Sequence, residues 1–202
     1  MNAQEVLSKD PKMKILVDLI PQSALHIPGQ KSDIREYLVS SIISQQLSVK
    51  VAKVIFTRFL ELFGGKFPRN LEIINTPIDR LRSIGLSAQK SQYIKNIAEF
   101  FEIHKLHKKD WKSLPDEEIA KLLIQIKGVG VWTTEMVLMF GLCREDVFSS
   151  GDYGIQMAMK KLYKLKQEGK ELQHKMLRIA EKWRPHRSLA CMYLWTWKDL
   201  KE

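Results

Sequence analysis

Two cysteines, Cys143 and Cys191, are all that this 202-residue chain contains. That is too few for an iron-sulfur cluster on four thiolates or for a zinc site built mainly from cysteine. Both lie in apolar stretches of helical spacing, where cysteine serves as a small buried hydrophobe, and a reducing compartment is expected. No segment approaches the ~20 consecutive apolar residues of a membrane span, and Met1 to Asp10 holds no apolar run of signal-peptide length. No membrane partner is therefore expected. Strict apolar-polar alternation persists nowhere, which excludes a fold of half-buried strands. Low-complexity tracts and long-period repeats are lacking as well. Acidic residues are in short supply, 23 against 33 Lys plus Arg, leaving a net charge of +10. A polyanion is the natural partner, nucleic acid ahead of an anionic membrane surface, because basic proteins gain affinity by releasing condensed counterions.

What is present is helical periodicity along almost the whole chain, and the expected fold class is all-α. At 45% hydrophobic and 28% charged residues the composition is that of a globular protein. The length suits one domain or two small lobes sharing a core. Leu38, Ile42, Ile43 and Leu47 mark one helix beginning near Asp33; Val51, Val54, Ile55, Leu60, Leu62 and Phe63 mark the next, ended by Gly64 and Gly65. Thr76-Pro77 predicts a hydroxyl cap before a first-turn proline, with a short helix to about Ser83 closed by Gly85. Ser87 is placed to cap a helix whose apolar face is Tyr93, Ile94, Ile97, Ala98 and Phe101. The basic stretch Lys105, His107, Lys108 and Lys109 reads as a lobe boundary, giving a central lobe of about 32–110 and a second of about 111–202 that the N-terminal segment joins. Pro115 with Asp116, Glu117 and Glu118 starts a helix carrying Ile119, Leu122, Leu123 and Ile126. Further helices are expected over about 152–164, 168–182 and 186–198. Leu81 to Gly85 and the helix after it weakly echo Leu123 to Gly128.

Lys127-Gly128-Val129-Gly130 interrupts one apolar helix, and a second runs from Trp132 to Leu142, making a tight αα-hairpin. The two glycines allow positive φ and close approach of another backbone. Amides at the start of the second helix can grip a phosphate without reading a base, with Lys127 reinforcing the grip. A Gly-Val-Gly link can equally just join two packed helices. Asp152, before a later helical run, reads locally as an N-cap.

The stretch Ile124 to Leu138 resembles the hairpin signature of the helix-hairpin-helix DNA glycosylases. Asp146-Val147-Phe148 leading into Gly151-Asp152-Tyr153-Gly154 lies where that superfamily keeps its catalytic aspartate. Ser41 to Ser48 looks like its wedge segment, and Trp183-Arg184-Pro185-His186-Arg187-Ser188 followed by Trp195 looks like the C-terminal helix of the DNA-3-methyladenine glycosylase II branch. Four motifs in order cover about residues 32–198. The resemblance implies a two-lobed helical bundle with its active-site cleft between the lobes, in a short form without the N-terminal β-domain of some members.

It also implies a monofunctional glycosylase of base excision repair that flips an alkylated purine out of double-stranded DNA and hydrolyses its N-glycosidic bond. Asp152 would be catalytic; Asp146 matches a non-catalytic position. Trp132, Trp195 and Met136 would form the base pocket, Met136 standing where some relatives have an aromatic residue. Trp111, Trp183 and Trp197 are assigned to packing. Gln45, Gln46 and Leu47 are the wedge candidates, Gln46 at the family's wedge position and Leu47 facing the core by its helical spacing. Bifunctional relatives carry a Schiff-base lysine two residues after the second hairpin glycine, and Trp132 stands there instead. Lys127, Gly128, Val129 and Gly130 would bind phosphate, and the carbonyls of Ile124, Ile126 and Val129 would hold a structural Na+ or K+. No cofactor is required on this reading. A monomer is implied, in the nucleoid-bearing cytoplasm of a bacterium or archaeon or in a eukaryotic nucleus. A non-catalytic DNA-binding module and a glycosylase-lyase are the alternatives. Lys160, Lys161, Lys164 and Lys166 read as a solvated face or as a phosphate contact.

Overall fold

In this computed structural model residues 2–25 and 33–200 are described. Their helices are α1 (Ala3–Leu7), α2 (Pro11–Leu19), α3 (Ile34–Ser44), α4 (Val49–Leu62), α5 (Asn70–Asn75), α6 (Ile78–Ser83), α7 (Ala88–Ile103), α8 (Asp116–Leu123), α9 (Val131–Met136), α10 (Tyr153–Tyr163), α11 (Gly169–Ala180) and α12 (Arg187–Asp199). No strand occurs among the described residues, so the all-α expectation holds. The chain divides into two compact units, Lys31–Val137 and Met1–Gln30 with Leu138–Glu202. The hairpin helices α8 and α9 therefore cluster with the residues before them, and the division falls after the hairpin rather than at the basic stretch near Lys109.

In the unit Lys31–Val137, α7 is the hub: α3, α5 and α6 all pack on it. Its buried face is Ser91, Ile94, Ile97, Ala98 and Phe101, spaced to form one apolar stripe. Leu38, Val39, Ile42 and Ile43 of α3 are wholly buried. The buried amide of Asn70 accepts from Arg35 and donates to Glu102 Oε2 at 2.8 Å, tying α3, α5 and α7 together. Ser87 caps α7 as the sequence predicts, and Asp33 and Ser48 cap α3 and α4 in the same manner, each accepting from an amide two or three residues on. Thr76 does not cap forward. Its hydroxyl donates back to Glu72 O at 2.7 Å, closing α5, a helix too short for periodicity to reveal. A threonine hydroxyl is donor as well as acceptor, so residue type alone leaves that direction open. The weak echo between the two turns has a counterpart in the backbone: Gly85 and Gly128 both sit at φ +106°.

The helix expected from Trp132 to Leu142 is α9 followed by a π-helical turn over Val137–Gly141. Such turns insert one extra residue and re-aim the side chains beyond.

In the other unit α12 is the core helix, with Ala190, Cys191, Tyr193 and Leu194 wholly buried. Cys143, expected to be buried, is only half-buried. Trp183 is buried against Phe148 and Tyr163, and Trp197 is buried beneath Lys161, as packing residues. Asp10, 5% exposed, is a buried acceptor. It caps α2 through Lys12 N at 2.9 Å and accepts from Tyr163 Oη at 2.8 Å and Trp183 Nε1 at 3.3 Å. Burial and the neighbouring carboxylate push the Tyr163 phenol up, so it remains a donor. Replacing Asp10 by Ala would orphan those donors and lose a cap, at a cost of about 2 to 4 kcal/mol in urea unfolding, while Asp10→Asn, which still accepts, should cost about half as much.

Candidate active site

Asp152 stands at the N-cap of α10, in extended backbone, and its Oδ1 accepts from Ile155 N at 2.8 Å. The same oxygen accepts from the indole Nε1 of Trp195, also at 2.8 Å. The cap therefore fixes the carboxylate on one side and α12 fixes it on the other. Gly154 leaves room for this pair: a Cβ there would lie 3.1 Å from both Asp152 Oδ1 and Trp195 Cδ1, a tight contact. Trp195 is half-buried and leans on Phe140, with ring centroids 5.9 Å apart. Phe140 is delivered by the π-helical turn, whose presence periodicity does not signal. Gly154 and Phe140 are the two residues of this cluster that the sequence reading passed over.

The loop entering Asp152 is strapped to the start of α12. Ser188 Oγ accepts from Val147 N at 3.0 Å and donates to Arg144 O at 2.6 Å, and Ser188 N donates to Glu145 O at 2.9 Å. Asp146 accepts from Arg187 Nε at 2.6 Å and from Arg184. It is an anchor for that loop.

In the unit Lys31–Val137, α8 and α9 form the hairpin. Gly128 has φ +106°, and a Cβ there would collide with the Tyr93 ring, whose two Cδ atoms lie 2.6 and 2.7 Å from that position. Tyr93 thus requires a glycine. Gly130 differs from the expectation: its φ is −100°, ordinary for any residue, and a Cβ there would meet nothing within 4 Å. The open space at Gly130, before the amides that start α9, suits an external group. Lys127 is exposed, and its carbonyl accepts from Asn96 Nδ2 at 3.0 Å. Val129 is buried, and its amide donates to Ile126 O at 2.9 Å. Among the described residues no group of three His, Cys, Asp or Glu could hold a metal ion.

Trp132, 42% exposed, sits in the first turn of α9, and Met136 lies buried one turn on. Gln45, Gln46 and Leu47 form the turn between α3 and α4. Leu47 is 37% exposed and outside α3, so it does not face the core as its spacing suggested. Of the basic run, Lys160 pairs with Glu168 and Lys161 lies over the Trp197 ring at 5.7 Å, while Lys164 and Lys166 are exposed.

Comparison with known proteins follows the same lines. The family described as HhH-GPD superfamily base excision DNA repair protein matches residues 39–185. The chain is 33% identical over 195 residues to DNA-3-methyladenine glycosylase 1 of Schizosaccharomyces pombe, covering 96% of this chain and 85% of that protein. Its fold matches the solved S. pombe 3-methyladenine DNA glycosylase Mag1 in complex with abasic DNA, with a TM-score of 0.83, 35% identity and coverage of 96% and 95%. A DNA-3-methyladenine glycosidase from Bacillus halodurans gives a TM-score of 0.79 at 30% identity, with coverage of 96% and 87%.

The two hairpin glycines should separate in experiment. Gly128→Ala is expected to destabilise the fold by about 2 kcal/mol or more in urea, from overlap with Tyr93 and the left-handed φ. Gly130→Ala should unfold at the wild-type midpoint yet bind duplex DNA several-fold more weakly in a fluorescence anisotropy titration.

Proposed function

Because this chain belongs to the HhH-GPD superfamily of base excision DNA repair proteins, we propose that it is a monofunctional DNA glycosylase that hydrolyses the N-glycosidic bond of alkylated purines, with Asp152 as the catalytic carboxylate. The observation that carries this reading is the clamp on Asp152. One carboxylate oxygen is held by the first turn of α10 and by an indole N–H whose ring flanks it. Departure of the base leaves positive charge on the deoxyribose, and a preorganised carboxylate stabilises that charge without reorganising. A purine alkylated at N3 or N7 is already cationic and leaves without needing a proton. The electron-rich face of Trp195, beside Asp152, suits such a base once it is flipped from the duplex.

The relatives named above are 3-methyladenine glycosylases by name, and their substrate class is the one assigned here. Trp132 occupies the position of the lyase lysine in bifunctional family members, so abasic DNA would be the product, with the strand intact. Double-stranded DNA is gripped at Lys127, Gly128 and Gly130 through backbone amides and one cation, while Val129, expected to share that grip, is buried with its amide on Ile126 O and shapes the turn; a monovalent ion on the carbonyls of Ile124, Ile126 and Val129 would support it. Gln46 fills the gap left in the stack.

Purified protein should release 3-methyladenine or 7-methylguanine from globally methylated DNA, read by chromatography of the freed bases. Asp152→Asn keeps the cap, since Asn serves as well as Asp there. Its stability and DNA affinity should stay near wild type while release falls by about two to three orders of magnitude. Full release by that variant would refute the mechanism. Borohydride treatment should trap no covalent DNA adduct, and a trapped adduct would make the enzyme a lyase.

Trp195→Phe preserves the aromatic wall and deletes the indole donor to Asp152. Single-turnover excision should slow by about 10-fold, as for loss of one hydrogen bond to a charged group.

A further inference from the structure

We propose that Lys90 is the positioning residue of the wedge, holding Gln46 in the conformation that enters the DNA stack; this rests on the glycosylase reading above. Leu47 N donates to Ser44 O at 3.0 Å, closing a four-residue turn. Gln45 has φ −49° and ψ 128°, and Gln46 has φ +58°. Those angles are of the type II kind, whose third residue is usually glycine or asparagine. For glutamine, a type I turn with negative φ is the easier choice, and the two differ by a flip of the central peptide.

That peptide's carbonyl is Gln45 O, and Lys90 Nζ donates to it at 2.6 Å and to Ile43 O at 2.8 Å. A cation gripping both oxygens fixes the peptide in its type II orientation, and with it the direction in which Gln46 leaves the backbone. Gln46 itself is exposed.

Lys90 is in a poor place by local rules. It is the third residue of α7, where a cation opposes the helix dipole. Its amide is taken by the Ser87 cap at 3.1 Å, which places the residue in the first turn of the helix. Burial pulls its ammonium below the usual lysine value. A residue that breaks local preference on two counts and satisfies two backbone carbonyls is held there by a tertiary task.

The same face of α7 carries Tyr93 beneath Gly128 and Asn96 on Lys127 O. One rigid helix therefore sets both the wedge turn and the phosphate-binding hairpin, and fixes their spacing.

The test compares single-turnover release of 7-methylguanine from two duplexes, one with the lesion paired to cytosine and one with it opposite an abasic site, where no partner base is left to support. Lys90→Met should lose roughly 10- to 100-fold on the paired lesion, the scale of a displaced positioning group. It should lose about threefold or less opposite the abasic site. Lys90→Arg, long enough to reach both carbonyls, should recover most of the paired activity. Equal losses on both duplexes would overturn the proposal, because a merely structural defect would not depend on the partner base. If the methionine variant does not fold, Lys90→Gln, too short to span both carbonyls, carries the same expected ratio. Wild-type protein that excises neither lesion would sink the glycosylase reading, and this one with it.

Discussion

A helix ends on carbonyls that its own ladder leaves without partners, and burying such an end is costly unless another donor reaches it. In the unit Lys31–Val137 two of those ends are answered from one helix, which also reaches the hairpin turn. Lys90 donates to Ile43 O in the last turn of α3 and to Gln45 O just past it, Lys95 Nζ donates to Thr76 O just past α5 at 2.9 Å, and Asn96 donates to Lys127 O in the turn that follows α8. Each bond contributes about 1 kcal/mol. Their larger effect is geometric. Short helices that would otherwise fray are fixed at their C-termini against α7, and the turns that follow them inherit that fixed position. The wedge turn and the Gly128 hairpin are two of those turns.

The other unit solves the complementary problem at a helix start. The Asp152 carboxylate satisfies an amide of α10, an ordinary capping duty, and the same atom is held by the Trp195 indole from α12. Since Ser188 and Arg187, at the head of α12, also strap the loop that delivers Asp152, one helix sets both the approach of the backbone and the orientation of the side chain. Preorganisation of this kind needs no separate scaffold. It reuses a cap and the ends of two packed helices.

Much of this was legible in the residues themselves. The Ser87 cap combines the right residue type with an apolar period beginning just after, and it formed where expected, as did the helix start near Asp33. The hairpin was legible for the same reason. What escaped depends on partners distant in sequence. Lys90 looks like any solvated lysine on a helix, and only the fold shows that two carbonyls converge on it. The extra residue of the π-helical turn before Phe140 leaves no trace in an apolar pattern that helix and π-turn share. Leu47 continued the period of α3 by coincidence, since that helix had already ended at Ser44. Gly128 and Gly130 are alike as letters, yet one is demanded by Tyr93 and a left-handed φ and the other by nothing inside the molecule.

That last contrast bears on how function should be read from such a site. A glycine that the fold requires says little about ligands, because the fold alone accounts for it. A glycine in ordinary backbone with open space around it has no such account, and the approach of something outside the chain supplies one. The same reasoning separates Asp146 from Asp152. Asp146 is saturated by two arginines and does structural work. Asp152 accepts from an amide and an indole, which together fix the direction of its carboxylate. A carboxylate oriented in that way can stabilise a cation that forms beside it. A purine that is already cationic leaves without further acid catalysis, which is why a site built around one oriented carboxylate suits alkylated purines.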